Sequence, residues 1–191
     1  MEVGETLYVT NRRQWRSWLL KHHKTAGDIW LVYYKKGSGK RRIPYNDAVE
    51  EALCYGWIDS LTKPRDKESW VQRFSPRRKK SPLSEMNKER VRRLIKSGKM
   101  ARFGLERIEH HMDGQSAKLP KLKKFVLPSD ILQALKSDPV VWKNFTKYSV
   151  SYKHIRIGWI DGSRNHPEIF AQRLRYFMKM TARNKKFGMV Q

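Results

Sequence analysis

Ile29-Trp30-Leu31-Val32-Tyr33-Tyr34 is an unbroken run of β-branched, aliphatic and aromatic residues. Such a run predicts a β-strand that is buried on both faces, because no polar residue alternates along it. Gly27-Asp28 stands before the run and the flexible segment 35–40 follows it, as is typical of strand ends. Two further strands are predicted at 57–61 and 70–74, joined by a polar segment as in a hairpin.

Segments with helical periodicity precede and follow these strands along the sequence. Trp15, Trp18 and Leu19 share one helical face, and Ser84 is a suitable N-cap for a later helix. Helices are expected in the first part of the chain over about residues 11–22, 46–56, 85–96 and 105–111. Near the C-terminal end only helical patterns remain, over about residues 130–136, from 138, over 152–160 and from 167.

These patterns predict an α+β protein. Residues 1–114 are expected to form an N-terminal domain with a small antiparallel or mixed sheet and helices. Residues 127–191 are expected to form a small all-helical C-terminal domain. The segment 115–126 between them is polar and basic and contains Pro120, so it is assigned as a linker.

The chain is strongly basic. Its 191 residues include 42 Lys and Arg against 18 Asp and Glu, a formal net charge of +24. Residues 1–114 hold 26 basic and 14 acidic side chains, whereas residues 115–191 hold 16 and 4, so the C-terminal part is the more basic per residue. A surplus of this size favours nucleic acid, anionic membrane or acidic protein as a partner. With 7 Trp, 8 Tyr and 7 Phe the chain is expected to fold, since disordered segments contain few aromatic residues.

Several classes of protein are excluded by composition. One cysteine forms neither an internal disulfide nor a structural zinc cage. No run approaches the ~20 apolar residues of a transmembrane helix. The start Met1–Glu5 lacks the features of a signal peptide, so a cytoplasmic protein is expected. The adjacent histidines of His22-His23 and His110-His111 cannot both face one metal from a helix, and no phosphate-loop motif is present, so no metal and no cofactor is predicted.

Residues 48–60 read Ala-Val-Glu-Glu-Ala-Leu-Cys-Tyr-Gly-Trp-Ile-Asp-Ser and resemble a motif of the YdeI/OmpD-associated, or bacteriocin-protection, family. Stretches within 15–36, 73–87 and 94–105 agree with that family in order and spacing, and residues 127–177 are similar to its helical domain. The resemblance implies a link to stress resistance towards cationic peptides and to an outer-membrane porin. It implies no known reaction.

A candidate anion site lies around the predicted hairpin. Two arginines beside a helix N-terminus suit a phosphate or carboxylate, with an aspartate to orient an arginine and a tryptophan as a stacking wall. The candidate residues are Trp57, Asp59, Arg73, Arg77, Ser84 and Asn87. The structural alternative is a buried Asp59–Arg77 ion pair that locks the hairpin, with Ser84 acting only as a helix cap.

Cys54 is the single thiol, and it ends a predicted buried helix face. A nucleophilic cysteine needs a base and an accessible, electropositive setting. No histidine lies near Cys54 in sequence, so a packed core thiol is expected and no catalytic residue is named.

A second candidate surface would contact nucleic-acid backbone through charge alone, because no base-reading motif is present. Its candidate residues are Arg77, Arg78, Lys79, Lys80, Lys88, Arg92, Arg93, Lys121, Lys123 and Lys124. The last predicted helix is also basic, and anionic lipid is an alternative partner for it. Its cations are Arg173, Arg175, Lys179, Arg183, Lys185 and Lys186.

The sequence therefore predicts a non-enzymatic protein that binds polyanions, chiefly DNA or RNA without strong sequence specificity, and that has a role in stress response. One alternative is a small-anion binding protein or enzyme that uses a cleft around Cys54, Asp59 and Arg77. Another is a stress-resistance protein that acts through protein partners.

Overall fold

A four-stranded mixed sheet lies at the centre of the N-terminal part of the chain. The computed structural model describes residues 2–78, 81–109 and 125–188. The strands are β1 (Thr6–Leu7), β2 (Ile29–Tyr34), β3 (Trp57–Pro64) and β4 (Ser69–Pro76), in the spatial order β1-β2-β4-β3. β1 runs parallel to β2, whereas β4 is antiparallel to both β2 and β3. The small sheet, predicted as antiparallel or mixed, is confirmed and is mixed, and β3 and β4 form the predicted hairpin.

Helices account for most of the remaining structure. In the first part of the chain they are α1 (Arg12–His22), α2 (Tyr45–Cys54), α3 (Glu85–Lys96) and α4 (Arg102–Ile108), with a short 3-10 turn at Lys36–Ser38. In the last part they are α5 (Ser129–Lys136), α6 (Pro139–Lys147), α7 (Val150–Asp161) and α8 (Pro167–Ala182). No strand occurs over residues 125–188, so the predicted α+β class with an all-helical end is confirmed.

The described residues fall into two compact units. The first unit holds residues 2–78, 81–82 and 90–109, and the second holds residues 83–89 and 125–188. The predicted linker 115–126 lies outside the described residues except for its last two positions, so the predicted domain boundaries stay a prediction.

In the first unit α1 covers one face of the sheet. The Trp15 ring lies edge-on to Phe74 of β4 with 5.5 Å between centroids, and its Nε1 donates to the carbonyl of Ala48 in α2 at 3.0 Å. The Arg16 guanidinium pairs with the buried carboxylate of Glu51 at 2.8 Å, which ties α1 to α2 a second time. These contacts position the end of α2, and with it the α2–β3 junction that carries several candidate residues.

In the second unit four helices, α5 to α8, surround a separate apolar core. Its buried side chains include Ile131, Leu135, Phe145 and Phe177. The carboxylate of Asp138 caps α6 by accepting from the backbone N–H groups of the next helical residues at 2.8 and 3.1 Å. Among the helices described, none is long and apolar enough to cross a membrane, in agreement with the prediction of no transmembrane segment.

Candidate functional site

Trp57, the predicted stacking wall, is a core residue. It begins β3 at the α2–β3 junction, and its side chain is fully buried. Its Nε1 donates to the carbonyl of His23 at 3.1 Å, and its ring lies edge-on to Trp18 at 5.6 Å. In this position the indole presents no face to a ligand.

Asp59 lies in a polar cluster that the sequence did not predict. Its carboxylate accepts a hydrogen bond from the hydroxyl of Tyr45, the first residue of α2. Burial and the neighbouring Asp59 raise the pKa of Tyr45. The Tyr33 hydroxyl is buried without a hydrogen-bond partner in the described part of the chain, and its pKa is raised by burial and by Tyr45 and Asp59. Asp59 therefore accepts from the Tyr45 hydroxyl at the start of α2 and does not orient Arg77.

Arg77 is buried at 1% exposure. Its Nη2 donates to the carbonyls of Ser81 and Pro82 at 2.7 and 2.5 Å, while Nε and Nη1 have no hydrogen-bond partner among the described residues. Burial lowers the pKa of this guanidinium. The alternative of an Asp59–Arg77 ion pair is therefore wrong. Arg77 instead fixes the chain just after β4, and at this burial its side chain does not reach the backbone of a nucleic acid.

The remaining anion candidates also have structural partners. Arg73 pairs through Nε with Asp28 at 2.5 Å. The Ser84 hydroxyl accepts from the backbone N–H of Asn87 at 3.3 Å, which makes Ser84 a cap of α3. Ser84 and Asn87 belong to the second unit, whereas the other four candidates belong to the first. No shared pocket for the six residues is evident within either unit over the described ranges.

Cys54, at the end of α2, is a packed core thiol. Its side chain is fully buried, and burial raises its pKa to about 11, with Glu51 adding to the effect. Gly104 of α4 packs directly against the Cys54 carbonyl. A buried thiol held in its protonated form is unsuited to nucleophilic attack.

We expect Cys54 to resist alkylation in the folded protein. With a pKa of about 11, roughly one thiol in a thousand is ionised at pH 8, and that thiolate is shielded from reagent. Iodoacetamide at pH 8, followed by mass spectrometry, should modify the native chain at least roughly 100-fold more slowly than the chain in about 8 M urea. The Cys54→Ser variant should stay unmodified in both states. Equal rates for native and unfolded wild-type protein would contradict the buried position.

The cations of the second candidate surface differ in availability. Arg78 is exposed. Lys88 pairs with Glu85 at 2.5 Å, and Arg93 pairs with Glu50 at 3.2 Å. Arg92 is half-buried and already has an interaction partner. The other five candidates, Lys79, Lys80, Lys121, Lys123 and Lys124, lie outside the described residues. The α3 part of this surface is thus largely engaged with the protein itself.

Comparison with known families finds a matching family for each part of the chain. Residues 7–107, more than half of the chain, match the family described as Domain of unknown function (DUF8412). Residues 124–184 match the family described as Bacteriocin-protection, YdeI or OmpD-Associated. The chain belongs to the DUF8412 family and carries a YdeI/OmpD-associated domain. No curated protein and no solved structure matches it.

The predicted family is thereby confirmed over the helical end of the chain. The segment 48–60, which carried the resemblance in the N-terminal part, falls within the DUF8412 match. Neither family description names a reaction or a ligand.

The YdeI/OmpD-associated domain carries an exposed row of cations on α8. Arg175 and Lys179 on α8 and Arg183 just after it follow at four-residue spacing, so they lie along one side of the helix. We call these three residues the cationic strip. All three are exposed, and within residues 125–188 the side chain of none of them forms an ion pair or hydrogen bond. The sequence indicated these charges but did not distinguish them from the engaged cations of α3.

Proposed function

We propose that the protein binds polyanions, chiefly nucleic acid, without strong sequence specificity. The observation that carries the proposal is the cationic strip, whose three charges extend over about 12 Å of helix at about 1.5 Å per residue. Charges without carboxylate partners are available to neutralise phosphates, and the release of counterions from the nucleic acid drives such binding.

The acidic residues of the same domain leave the strip unneutralised. Both carboxylate oxygens of Asp130 accept from Arg164 at 3.0 Å, and Asp161 accepts from Arg164 at 2.6 Å. Asp138 is occupied as the cap of α6. No carboxylate of residues 125–188 forms an ion pair with the strip, and Glu168, the one acidic residue of α8, lies in its first turn, so the exposed charges of the strip favour steering of an anionic partner.

The alternative of a small-anion cleft around Cys54, Asp59 and Arg77 receives less support. Cys54 is protonated and buried, Asp59 is bound to Tyr45, and Arg77 is turned to backbone carbonyls. A stress-resistance role through protein partners remains a hypothesis that rests on the family description. A cytoplasmic location is part of our proposal, since it places the protein with nucleic acid.

The proposal predicts steep salt dependence of binding to duplex DNA. Fluorescence anisotropy with a labelled duplex of about 20 base pairs should give a logarithm of the association constant that falls linearly with the logarithm of salt concentration. In the triple variant Arg175→Gln, Lys179→Gln, Arg183→Gln the slope should become shallower by about 2.7, which is about 0.9 for each phosphate that the variant no longer neutralises. The affinity of this variant for the duplex at low salt should also be lower than that of the wild-type protein.

The matched control removes the same charge elsewhere in the domain. Lys136, Lys143 and Lys147 are exposed on or beside α5 and α6, and their replacement by Gln should leave most of the slope intact. If the control reduced the slope as much as the strip variant, binding would depend on net charge and not on the strip. Absence of binding to DNA and RNA at low salt would reject the proposed function.

A further inference from the structure

A groove in the second unit combines aromatic rings with two arginines. Its volume is about 550 Å³, which is within the range of small-ligand sites. The α7 residues Arg156 and Trp159 form one wall, the α8 residues Gln172, Arg173 and Tyr176 form another, and Phe187 closes one side. Among the described residues no carboxylate lines the groove, so its polar character is that of an anion site.

Arg156 is the buried charge of this groove. It is only 4% exposed, and its Nε and Nη2 have no hydrogen-bond partner in the described ranges. Its guanidinium lies 4.5 Å from the ring centroid of Phe187 and 5.3 Å from that of Tyr152, and burial lowers its pKa. Buried N–H groups without acceptors are costly and rare in proteins. Among the described residues no carboxylate pairs with Arg156, so an anionic ligand in the groove would offset its buried charge.

Arg173 and the rings complete the site. The Arg173 guanidinium lies 4.8 Å from the Trp159 ring centroid, and its Nη1 donates to the Trp159 carbonyl at 2.6 Å. Phe187 stands edge-on to both Trp159 and Tyr176, with centroids 5.7 and 4.8 Å apart. Tyr176 is 45% exposed, so its ring remains open to a flat ligand. The groove thus offers guanidinium N–H groups and an exposed aromatic surface side by side.

We propose that this groove binds a nucleoside phosphate, with the phosphate at Arg156 and Arg173 and the base against the exposed ring of Tyr176. Stacking on aromatic side chains together with backbone charge is how proteins hold single-stranded nucleic acid. The same chemistry fits one unit of a single strand or a free mononucleotide.

The cationic strip joins this groove to the proposed function. Arg175 lies three residues beyond Gln172, and Lys179 lies three residues beyond Tyr176, so each is a neighbour of a groove residue on the surface of α8. A strand whose phosphates follow the strip therefore brings one of its bases to the groove. A paired base in a duplex is not free to enter it. In this form the inference rests on the proposed function and adds a preference for single strands.

The test compares three probes by anisotropy and calorimetry: a labelled single strand of about 12 nucleotides, a duplex of the same length, and AMP with inorganic phosphate as its reference. Wild-type protein should bind the single strand more tightly than the duplex. Tyr176→Ala should weaken binding of the single strand about tenfold, within the range that removal of one stacked base produces, and change duplex binding less than about twofold. Arg173→Gln should also weaken binding of the single strand.

Tyr8→Ala is the matched control, since Tyr8 is also 45% exposed but belongs to the first unit. It should leave all affinities unchanged, and melting curves should show that each variant folds. Equal affinity for single strand and duplex, with no effect of Tyr176→Ala, would contradict the proposed role of the groove. It would leave the proposal of polyanion binding at the cationic strip intact. Binding of AMP that depends on Tyr176, without binding of either polymer, would support the groove for free nucleotides and reject the proposed function. Binding of AMP no tighter than inorganic phosphate, with Tyr176→Ala without effect on any probe, would overturn the inference.

Discussion

Replacement of Gly104 by alanine is expected to lower the free energy of unfolding by about 3 kcal/mol, the upper part of the range for overpacked sites. A Cβ at this position would lie 2.1 Å from the carbonyl oxygen of Cys54 and 2.6 Å from its carbonyl carbon. Both are backbone atoms at the α2–β3 junction. The same oxygen accepts from the backbone N–H of Ala101 at 3.0 Å, just before α4, so it cannot move away without breaking that hydrogen bond.

The measurement is urea unfolding followed by tryptophan fluorescence, which reports mainly on the first unit because five of the seven tryptophans lie there. Gly37→Ala is the control. It replaces a glycine in an exposed 3-10 turn where a Cβ would meet nothing within 4 Å, so its effect should stay within about 0.5 kcal/mol. If both variants unfolded at the wild-type midpoint, the close packing of α4 on α2 would be disproved.

Trp57→Ala is expected to lower the free energy of unfolding by about 4 kcal/mol, as for other buried aromatic residues truncated to alanine. The variant removes the packing against Trp18 and leaves the His23 carbonyl without its donor. Trp57→Phe keeps most of the buried area and removes only the hydrogen bond and part of the ring, so it should cost about 1–2 kcal/mol.

This pair of variants also separates a core role from the ligand role predicted for Trp57. If Trp57 only lined a ligand site, its truncation would leave the free energy of unfolding unchanged and would lower only the affinity for the ligand. Urea unfolding of Trp57→Ala at the wild-type midpoint would therefore make Trp57 a ligand-binding candidate again. Trp70→Ala serves as a comparison, because Trp70 is only half-buried and stacks on Tyr33 at 4.4 Å.

The sheet could be predicted well where hydrophobic runs are long. The predicted strand 29–34 coincides with β2. β3 and β4 extend further than predicted, because their pairing continues to Pro64 opposite Trp70 through polar residues that resemble a loop. β1 was not predicted, since its two residues, Thr6–Leu7, are too short to show alternation and are strands only through pairing with β2.

The candidate sites were harder to predict because the direction of a side chain depends on its tertiary partners. Arg77 begins a run of four cations that is typical of a solvated surface, yet it turns inward to Ser81 and Pro82. Asp59 accepts a hydrogen bond from Tyr45, fourteen residues earlier in the sequence, only because α2 packs beside β3. Charge runs thus predict the sign of a surface but not which of its members are free.

The groove in the YdeI/OmpD-associated domain was missed for a related reason. Arg156 and Trp159 lie three residues apart on α7, and Arg173 and Tyr176 lie three residues apart on α8. Each pair taken alone is consistent with ordinary helix packing or with a solvated basic helix. The groove exists only once the two helices and Phe187 lie side by side, and no linear pattern specifies that pairing.

The burial of Cys54 makes the protein convenient for spectroscopy. Because the only native thiol is fully buried at the end of α2 and has a raised pKa, it should not react with maleimide dyes. A single cysteine introduced at an exposed position, such as Asn165→Cys in the turn before α8, would then be the sole attachment point for a fluorophore. The proposed binding of a nucleic acid strand at α8 could then be followed in real time in the otherwise natural chain.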